Sequence, residues 1–333
     1  KKNRGAKASK LAPILRGLCS SEQSMIGHFT DNPKVLEFIN SHDLNRLAPM
    51  GTSCPDHFLR TKIKPLILPL SVDEDFSDPL QVMKKLTPSF EQYREDYKKY
   101  YNSCKYPNSP AMRDPNPVVI IYPGVGMFTF AKNKQTARVA SEFYINAVNV
   151  MRGAEAISSY TSLPRQEAFD IEYWLLEEAK LQRQPKEKPL SRKVALITGS
   201  GGGIGRAIAD KLIAEGANVI FTDISEEYLD EAISQYSPDQ AIACQCDVTN
   251  SKSIEKAIQK ASIEFGGLDI IVHSAGLAIS KPLEETTEAN WNLLQEVLVK
   301  GQFLLSRAAA KIMRKQNLGG NIVNIVSKNG LVS

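Results

Sequence analysis

The feature that most constrains this chain is the run Thr198-Gly199-Ser200-Gly201-Gly202-Gly203-Ile204-Gly205. It sits between an apolar stretch, Val194 to Thr198, and a helical pattern, Ile204 to Gly216. Glycines allow a tight turn there and let a pyrophosphate approach a helix N-terminus, where free N–H groups and the positive dipole end meet its charge. A glycine run alone also fits a flexible loop; its place between strand and helix is what points to a phosphate cradle. The pattern then alternates. Strands are expected at Asn218 to Thr222, Ala241 to Cys246, Leu268 to His273 and Asn321 to Val326. Helices are expected at Glu226 to Gln235, Ile254 to Phe265 and Asn290 to Arg314, the last being one long helix or two. Strands separated by helices of this length need parallel crossovers. Right-handed crossovers give a doubly wound α/β sheet with ligands at the carboxyl ends of its strands.

The second strand ends at Asp223, roughly twenty residues past the glycines, where a carboxylate can accept hydrogen bonds from both hydroxyls of an adenosine ribose. It would repel a 2′-phosphate, so it argues for NAD over NADP, with a loop or cap Asp as the alternative. Asp247 and Val248 close the third strand, and His273-Ser274-Ala275-Gly276 closes the fourth. With these motifs, residues 190–333 resemble the short-chain dehydrogenase/reductase family, whose fold is a Rossmann doubly wound parallel sheet. The resemblance implies that Gly199, Ser200, Gly203, Ile204, Gly205, Asp223, Asp247, Val248, Ser274, Ala275 and Gly276 bind NAD. It also implies that Ser327 is catalytic, holding the substrate oxygen by a hydrogen bond; a plain strand-end cap is the alternative. Two positions depart from the family. His273 and Ser274 stand in place of two asparagines, and Leu298 stands in place of a catalytic Asn. The family's Tyr, with its Lys four residues on, lies roughly a dozen residues beyond that Ser. The chain ends six residues past Ser327, so it is expected to be truncated before them and inactive alone.

The first part of the chain is less regular. Residues 1–115 are rich in Pro and polar residues, with helical stretches at Pro33 to Asn40 and near Phe90 to Tyr101. Val118 to Tyr122 is expected to be a buried strand, Pro123, Gly124 and Gly126 a turn, and Lys134 to Gly153 a helix. That helix is expected to pack Ala137, Ala140, Phe143, Ala147 and Val150. A second helix, Arg165 to Leu181, leads into a polar stretch with Pro185 and Pro189. The expected organisation is therefore residues 1–184, a linker at 185–189, and residues 190–333. Gly51 to Lys62, Pro123 to Phe128 and Asn149 to Glu155 resemble the middle of the bifunctional rhamnulose-1-phosphate aldolase/short-chain dehydrogenase family. In class II aldolases a comparable turn supplies a zinc-binding His, and here Val125 occupies its place. The resemblance thus implies a degenerate α/β class II aldolase-like segment without a zinc site. His28, His42, His57 and His273 show no ligand spacing. Cys54, Asp56 and His57 read as a structural turn, or as a loop carrying Arg60 and Lys62 toward a phosphate or an adjoining domain.

Composition narrows the function. A length of 333 residues favours two domains; 42% hydrophobic and 23% charged residues, with no run of 18 apolar ones, indicate a globular chain rather than a membrane protein. The net charge of +4 is small, and Lys1, Lys2, Arg4, Lys7 and Lys10 read as a solvated face rather than a nucleic-acid patch. Five cysteines, an odd number without signal segment or zinc spacing, suggest a reducing, cytoplasmic compartment, with Cys244 and Cys246 as buried thiols. Opening on Lys1 and stopping at Ser333 in mid-pattern suggest a piece of a longer protein. Its implied function is NAD-dependent oxidation of a small sugar-derived aldehyde, such as lactaldehyde released by a fused rhamnulose-1-phosphate aldolase. The alternatives are a sugar-phosphate or polyol dehydrogenase, or a nucleotide-binding module without catalysis. Family resemblance also implies a homo-oligomer.

Overall fold

A computed structural model describes residues 2–327 of the chain; the expectations placed on its ends at Lys1 and Ser333 lie outside them. Contacts divide the chain into two units, Lys1–Glu187 and Lys188–Ser333.

In the N-terminal unit, α1 (Lys2–Cys19), β1 (Ile26–Thr30), α2 (Pro33–Ile39), β2 (Leu66–Ile67), α3 (Pro79–Cys104), β3 (Val119–Tyr122), β4 (Gly126–Ala131), α4 (Lys134–Ile157), α5 (Arg165–Glu172) and α6 (Leu175–Gln182) follow in order. The sheet order is β1-β4-β3-β2, antiparallel except where β2 pairs with β3. Successive strand residues point to opposite faces. Ile120, Tyr122, Phe128 and Phe130 therefore join α1 and α3 in one core, while Val119, Ile121 and Met127 join α2 and α4 in another. Helix α3 is far longer than the short stretch expected. Asp78 caps it by accepting from the Leu80 and Gln81 N–H groups, and Val82, Leu86, Phe90, Tyr93, Tyr97, Tyr100 and Cys104 bury one face at steps of three and four. Helix α4 runs through Gly153; Ala137, Ala140 and Ala147 are buried as expected, Tyr144, Val148 and Met151 complete its core face, and Val150 is exposed. The single helix expected from Arg165 to Leu181 is two. Trp174 is extended between them, and Tyr173 turns its hydroxyl inward to Tyr97.

In the C-terminal unit, β5 (Val194–Thr198), α7 (Gly203–Ala214), β6 (Asn218–Asp223), α8 (Glu226–Ile233), β7 (Ala241–Gln245), α9 (Ser251–Phe265), β8 (Ile270–His273), α10 (Glu288–Leu294), a π-helical stretch Gln295–Lys300, α11 (Gly301–Gln316) and β9 (Asn321–Asn324) alternate. All five strands are parallel, in the order β7-β6-β5-β8-β9. The order reverses at β5, so the crevice between β5 and β8 opens at their carboxyl ends, where doubly wound sheets bind ligands. Ala195, Ile197, Val219, Phe221, Ile270 and Val272 pack on α7 and α8. Helices α9 and α11 cover the other face. Strand β9 ends at Asn324, although the Ile325 N–H still donates to the His273 carbonyl at 2.9 Å. Cys244 and Cys246 are buried, and burial pushes the Cys246 thiol up to about 11. No helix among the described residues is long and apolar enough to cross a membrane.

Candidate functional site

The glycine turn is built from backbone contacts that exclude side chains. Gly199 has φ +66°, and a Cβ there would come within 2.8 Å of Ala275 Cα. A Cβ on Gly205 would lie 2.3 Å from the Gly199 carbonyl oxygen, so α7 can approach the turn only as glycine. At Gly203 a Cβ would meet nothing within 4 Å, which leaves open space before the helix start. The Arg206 N–H closes the first helical bond, onto the Gly202 carbonyl, and Gly202 provides no side-chain cap. The N–H groups of Gly203, Ile204 and Gly205 thus have no intrahelical partner, and with the positive dipole end they form an anion cradle. These residues fit the pyrophosphate of a dinucleotide.

Asp223, at the end of β6, leans over this turn. Its Oδ2 accepts from the Gly201 N–H at 3.1 Å and its Oδ1 from the Ser225 N–H at 3.1 Å. Gly201 is packed beneath Tyr228, whose Cβ would lie 2.6 Å from an added Cβ. Ser200 is fully buried and faces inward. Its hydroxyl donates to the Thr222 carbonyl and accepts from the Thr222 N–H at 2.8 Å, so it fastens the turn to β6 rather than facing the cradle. Asp247 Oδ1 accepts from the Thr249 N–H and hydroxyl, at 2.9 and 2.8 Å, and Val248 is buried against Gly301.

Sequence reasoning missed Thr198 as the hub of the site. Its Oγ1 accepts from the N–H groups of Ser274 at 3.2 Å and Ala275 at 3.1 Å. The Thr198 proton must then go to His273 Nδ1, 3.2 Å away, which fixes that ring as neutral with its proton on Nε2. One hydroxyl thereby ties the ends of β5 and β8 together. The Nε2 of His273 is buried without a partner among the described residues, as is Oδ1 of Asn324, its register partner on β9. Burial alone lowers the His273 pKa from its ordinary 6.5. An unfolded chain therefore takes up this proton before the folded one, and the contribution to stability, complete above pH 6.5, is lost as pH falls toward the lower folded value. The C-terminal unit is expected to melt at lower temperature on acidification below that point, and a His273→Asn variant to show a flatter profile. Superimposable melting-against-pH curves for the two proteins would refute this role.

Leu298 lies in the π-helical stretch, and its Cδ2 would be 3.4 Å from a Cβ on Gly276, so it covers the turn after β8 with apolar surface. Ser327 is exposed, three residues beyond the end of β9 at the same carboxyl edge. In the other unit Val125 is fully buried in the core. His57 is buried too, its Nδ1 3.1 Å from Thr52 Oγ1 and its ring 4.8 Å from that of Phe143, and desolvation lowers its pKa. Arg60 is exposed, but Lys62 turns inward and donates to the carbonyls of Asp114 and Asn116, 2.7 Å from the latter. Among the described residues no three His, Cys, Asp or Glu side chains are grouped to hold a metal.

Residues 6–181 match the family described as aldolase class II, second domain. The chain belongs to that family. Residues 193–333 match short chain dehydrogenase, so an aldolase class II domain and a short-chain dehydrogenase domain are joined in one chain. An uncharacterized oxidoreductase of Bacillus subtilis, YuxG, is 37% identical over 329 residues, covering 96% of this chain and 47% of that protein. An NAD-dependent glycerol dehydrogenase of Listeria innocua is 33% identical over 148 residues, 44% of this chain and 58% of that one. The chain thus spans about half the length of these curated relatives. A short-chain dehydrogenase/reductase structure from Mycobacterium marinum, 31% identical, covers 43% of this chain and 59% of its own, with a TM-score of 0.42.

Proposed function

We propose that the short-chain dehydrogenase domain binds NAD and, in the intact protein, oxidises a small sugar-derived aldehyde, such as the lactaldehyde that a rhamnulose-1-phosphate aldolase would release. The observation that carries the NAD reading is Asp223, held 3.1 Å from the Gly201 N–H over the uncapped start of α7. A carboxylate there accepts from ribose hydroxyls and repels a 2′-phosphate. When bound, the nicotinamide supplies the hydride acceptor. Ser327 would hold the substrate oxygen at the carboxyl edge of the sheet, where the crevice between β5 and β8 opens. Tethering this site to an aldolase raises its local concentration around a reactive product. Isothermal titration tests the cofactor reading. NAD is expected to bind more tightly than NADP, and Asp223→Ala to lose or reverse that preference. Equal binding of both cofactors by the unmodified chain would refute it.

A second reading is a polyol dehydrogenase, supported by the glycerol dehydrogenase relative of Listeria innocua. Product analysis on the intact protein, with lactaldehyde against glycerol or a sugar alcohol phosphate, separates the two. A nucleotide-binding module without catalysis is favoured by Leu298, which cannot hold a water as Asn does, and turnover of neither substrate would support it. We further read the protein as a cytoplasmic homo-oligomer. Its five free cysteines and the exposed Trp291 of α10, Val299 of the π-helical stretch and Phe303 of α11 support that reading.

A further inference from the structure

The ends of β5 and β8 are fastened by one hydroxyl whose hydrogen bonds leave no slack. Thr198 Oγ1 accepts from the N–H groups of Ser274 at 3.2 Å and Ala275 at 3.1 Å, which fills both its lone pairs, and its own proton goes to His273 Nδ1 at 3.2 Å. The His273 residue is 4% exposed, and Nε2 already carries the proton of the neutral ring. A second proton can therefore enter only at Nδ1. There it removes the acceptor of the Thr198 O–H and turns Nδ1 into a third donor aimed at an oxygen with two lone pairs. At least one of the Ser274 and Ala275 N–H groups must then let go.

The turn at Ser274 and Ala275 cannot move alone. Gly199 lies so close that a Cβ there would be 2.8 Å from Ala275 Cα and 3.0 Å from the Ser274 carbonyl oxygen. Gly205 lies as closely on Gly199, where a Cβ would be 2.3 Å from the carbonyl oxygen. Three backbone segments are thus stacked with no side chain between them, and the last carries the free N–H groups at the start of α7. A shift of the first reaches the third by contact. No neighbouring charge offsets the added proton. Thr198 and Asn324, which flank the ring on β5 and β9, are neutral. Asp269, at the other end of β8, is about 13 Å along the strand and accepts from the Val194 N–H. Asp223 ends β6, two strands away at about 10 Å, and faces Gly201. Lys300, two residues past the Leu298 that covers Gly276, pairs with Glu296. No charged side chain of α7, α9 or α11 acts on the ring, and burial alone holds its pKa below 6.5.

We infer that His273 is a positioning residue that makes the cofactor turn proton-sensitive: protonation at Nδ1 opens the Thr198 clasp and lowers the affinity of the turn for the dinucleotide. The ligand rests on the NAD reading above, the clasp on hydrogen bonds alone. Neutral His273 is the form that binds, so NAD expels the proton. Affinity is constant above the folded pKa and falls below it, by at most about tenfold per pH unit. Isothermal titration of the full chain with NAD from about pH 7.5 to about pH 5 tests the coupling. It is run beside His273→Asn, whose Oδ1 still accepts from the Thr198 O–H but takes up no proton, and Thr198→Val, which lacks the hydroxyl. Wild-type affinity is expected to fall by at least about threefold, with proton release at the acid end read as a buffer-dependent enthalpy, which needs no variant. His273→Asn should change by less than about twofold, and Thr198→Val should bind weakly throughout. Amide exchange reads the clasp without NAD: protection of the Ser274 and Ala275 N–H groups should drop on acidification in wild type and hold in His273→Asn. Equal profiles in the two proteins would overturn the inference. So would tighter NAD binding in acid, the result of bare attraction between an imidazolium and a pyrophosphate. If NAD binds at no pH while the exchange difference persists, the NAD reading fails and the clasp stands.

Discussion

Replacing Glu172 with Ala is expected to destabilise the N-terminal unit by roughly 3–5 kcal/mol, the usual cost of removing one partner from a buried charged network. Glu172 is 1% exposed. It accepts from Tyr97 at 2.5 Å and from Tyr100 at 3.3 Å, and the Tyr97 hydroxyl also meets that of Tyr173 at 2.7 Å. Desolvation pushes the carboxyl above its ordinary range against the pull of Tyr97 and Lys62, and burial lowers the Lys62 ammonium to about 8. Truncation would leave two tyrosine hydroxyls without that acceptor and Lys62 with Asp114 as its remaining countercharge. Glu172→Gln keeps the volume and one acceptor, so its cost should fall between wild type and Ala. The chain has two tryptophans, Trp174 in this unit and Trp291 in the other. Urea denaturation followed by Trp174 fluorescence in a Trp291→Phe background therefore isolates the effect. An Ala variant within about 1 kcal/mol of its parent would show that the network is not needed for stability.

The second large effect is expected at Gly205. An added Cβ would meet the Gly199 oxygen at 2.3 Å, the Gly199 carbonyl carbon at 2.8 Å and Ser200 Cα at 2.9 Å. All three are backbone atoms of the turn itself, so no side-chain rotation relieves the overlap. Gly205→Ala should cost the C-terminal unit about 1–3 kcal/mol by overpacking. By pushing the cradle N–H groups off the helix axis it should also weaken NAD by about a hundredfold. Gly203→Ala, where a Cβ meets nothing within 4 Å, is the matching control: its fold should be intact while the added methyl crowds the cradle. Calorimetric titration with NAD, alongside denaturation followed by Trp291 in a Trp174→Phe background, reads both effects. Wild-type affinity and stability in Gly205→Ala would show that the turn can widen at no cost.

The C-terminal unit was largely legible because its inner strands are buried on both faces. They read as unbroken apolar runs between helices of regular period, and the glycine turn has one physical purpose. What escaped there is polar and local. Thr198 looked like the last residue of a strand, and only its distances to Ser274, Ala275 and His273 reveal the clasp. The family resemblance assigns Ser200 to the cofactor, and only the structure shows that its hydroxyl bonds to the Thr222 backbone. In the N-terminal unit the second half of the core face of α3 is Tyr93, Tyr97, Tyr100 and Cys104, and the polar tips of the tyrosines disguise an apolar stripe among lysines and glutamates. Helix α1 hides similarly, with Pro13 inside it and Lys7 and Arg4 paired to Asp73 and Asp31. Both were lost in a stretch that looked irregular. The break after Glu172 depends on a contact between Tyr173 and Tyr97, 76 residues apart in sequence, which no local pattern carries.

The π-helical stretch also bears on chain length. The Gly301 N–H donates to the Glu296 carbonyl, five residues back rather than four, so the helical run from Glu288 to Gln316 contains in effect one surplus residue. Each residue of an α-helix advances about 100° around its axis. The surplus therefore sets the angle at which Leu304, Leu305 and Ala309 meet the sheet, and it presses Gly301 onto Val248. Between Trp291 and Gly301, how many residues there are matters more than which ones they are.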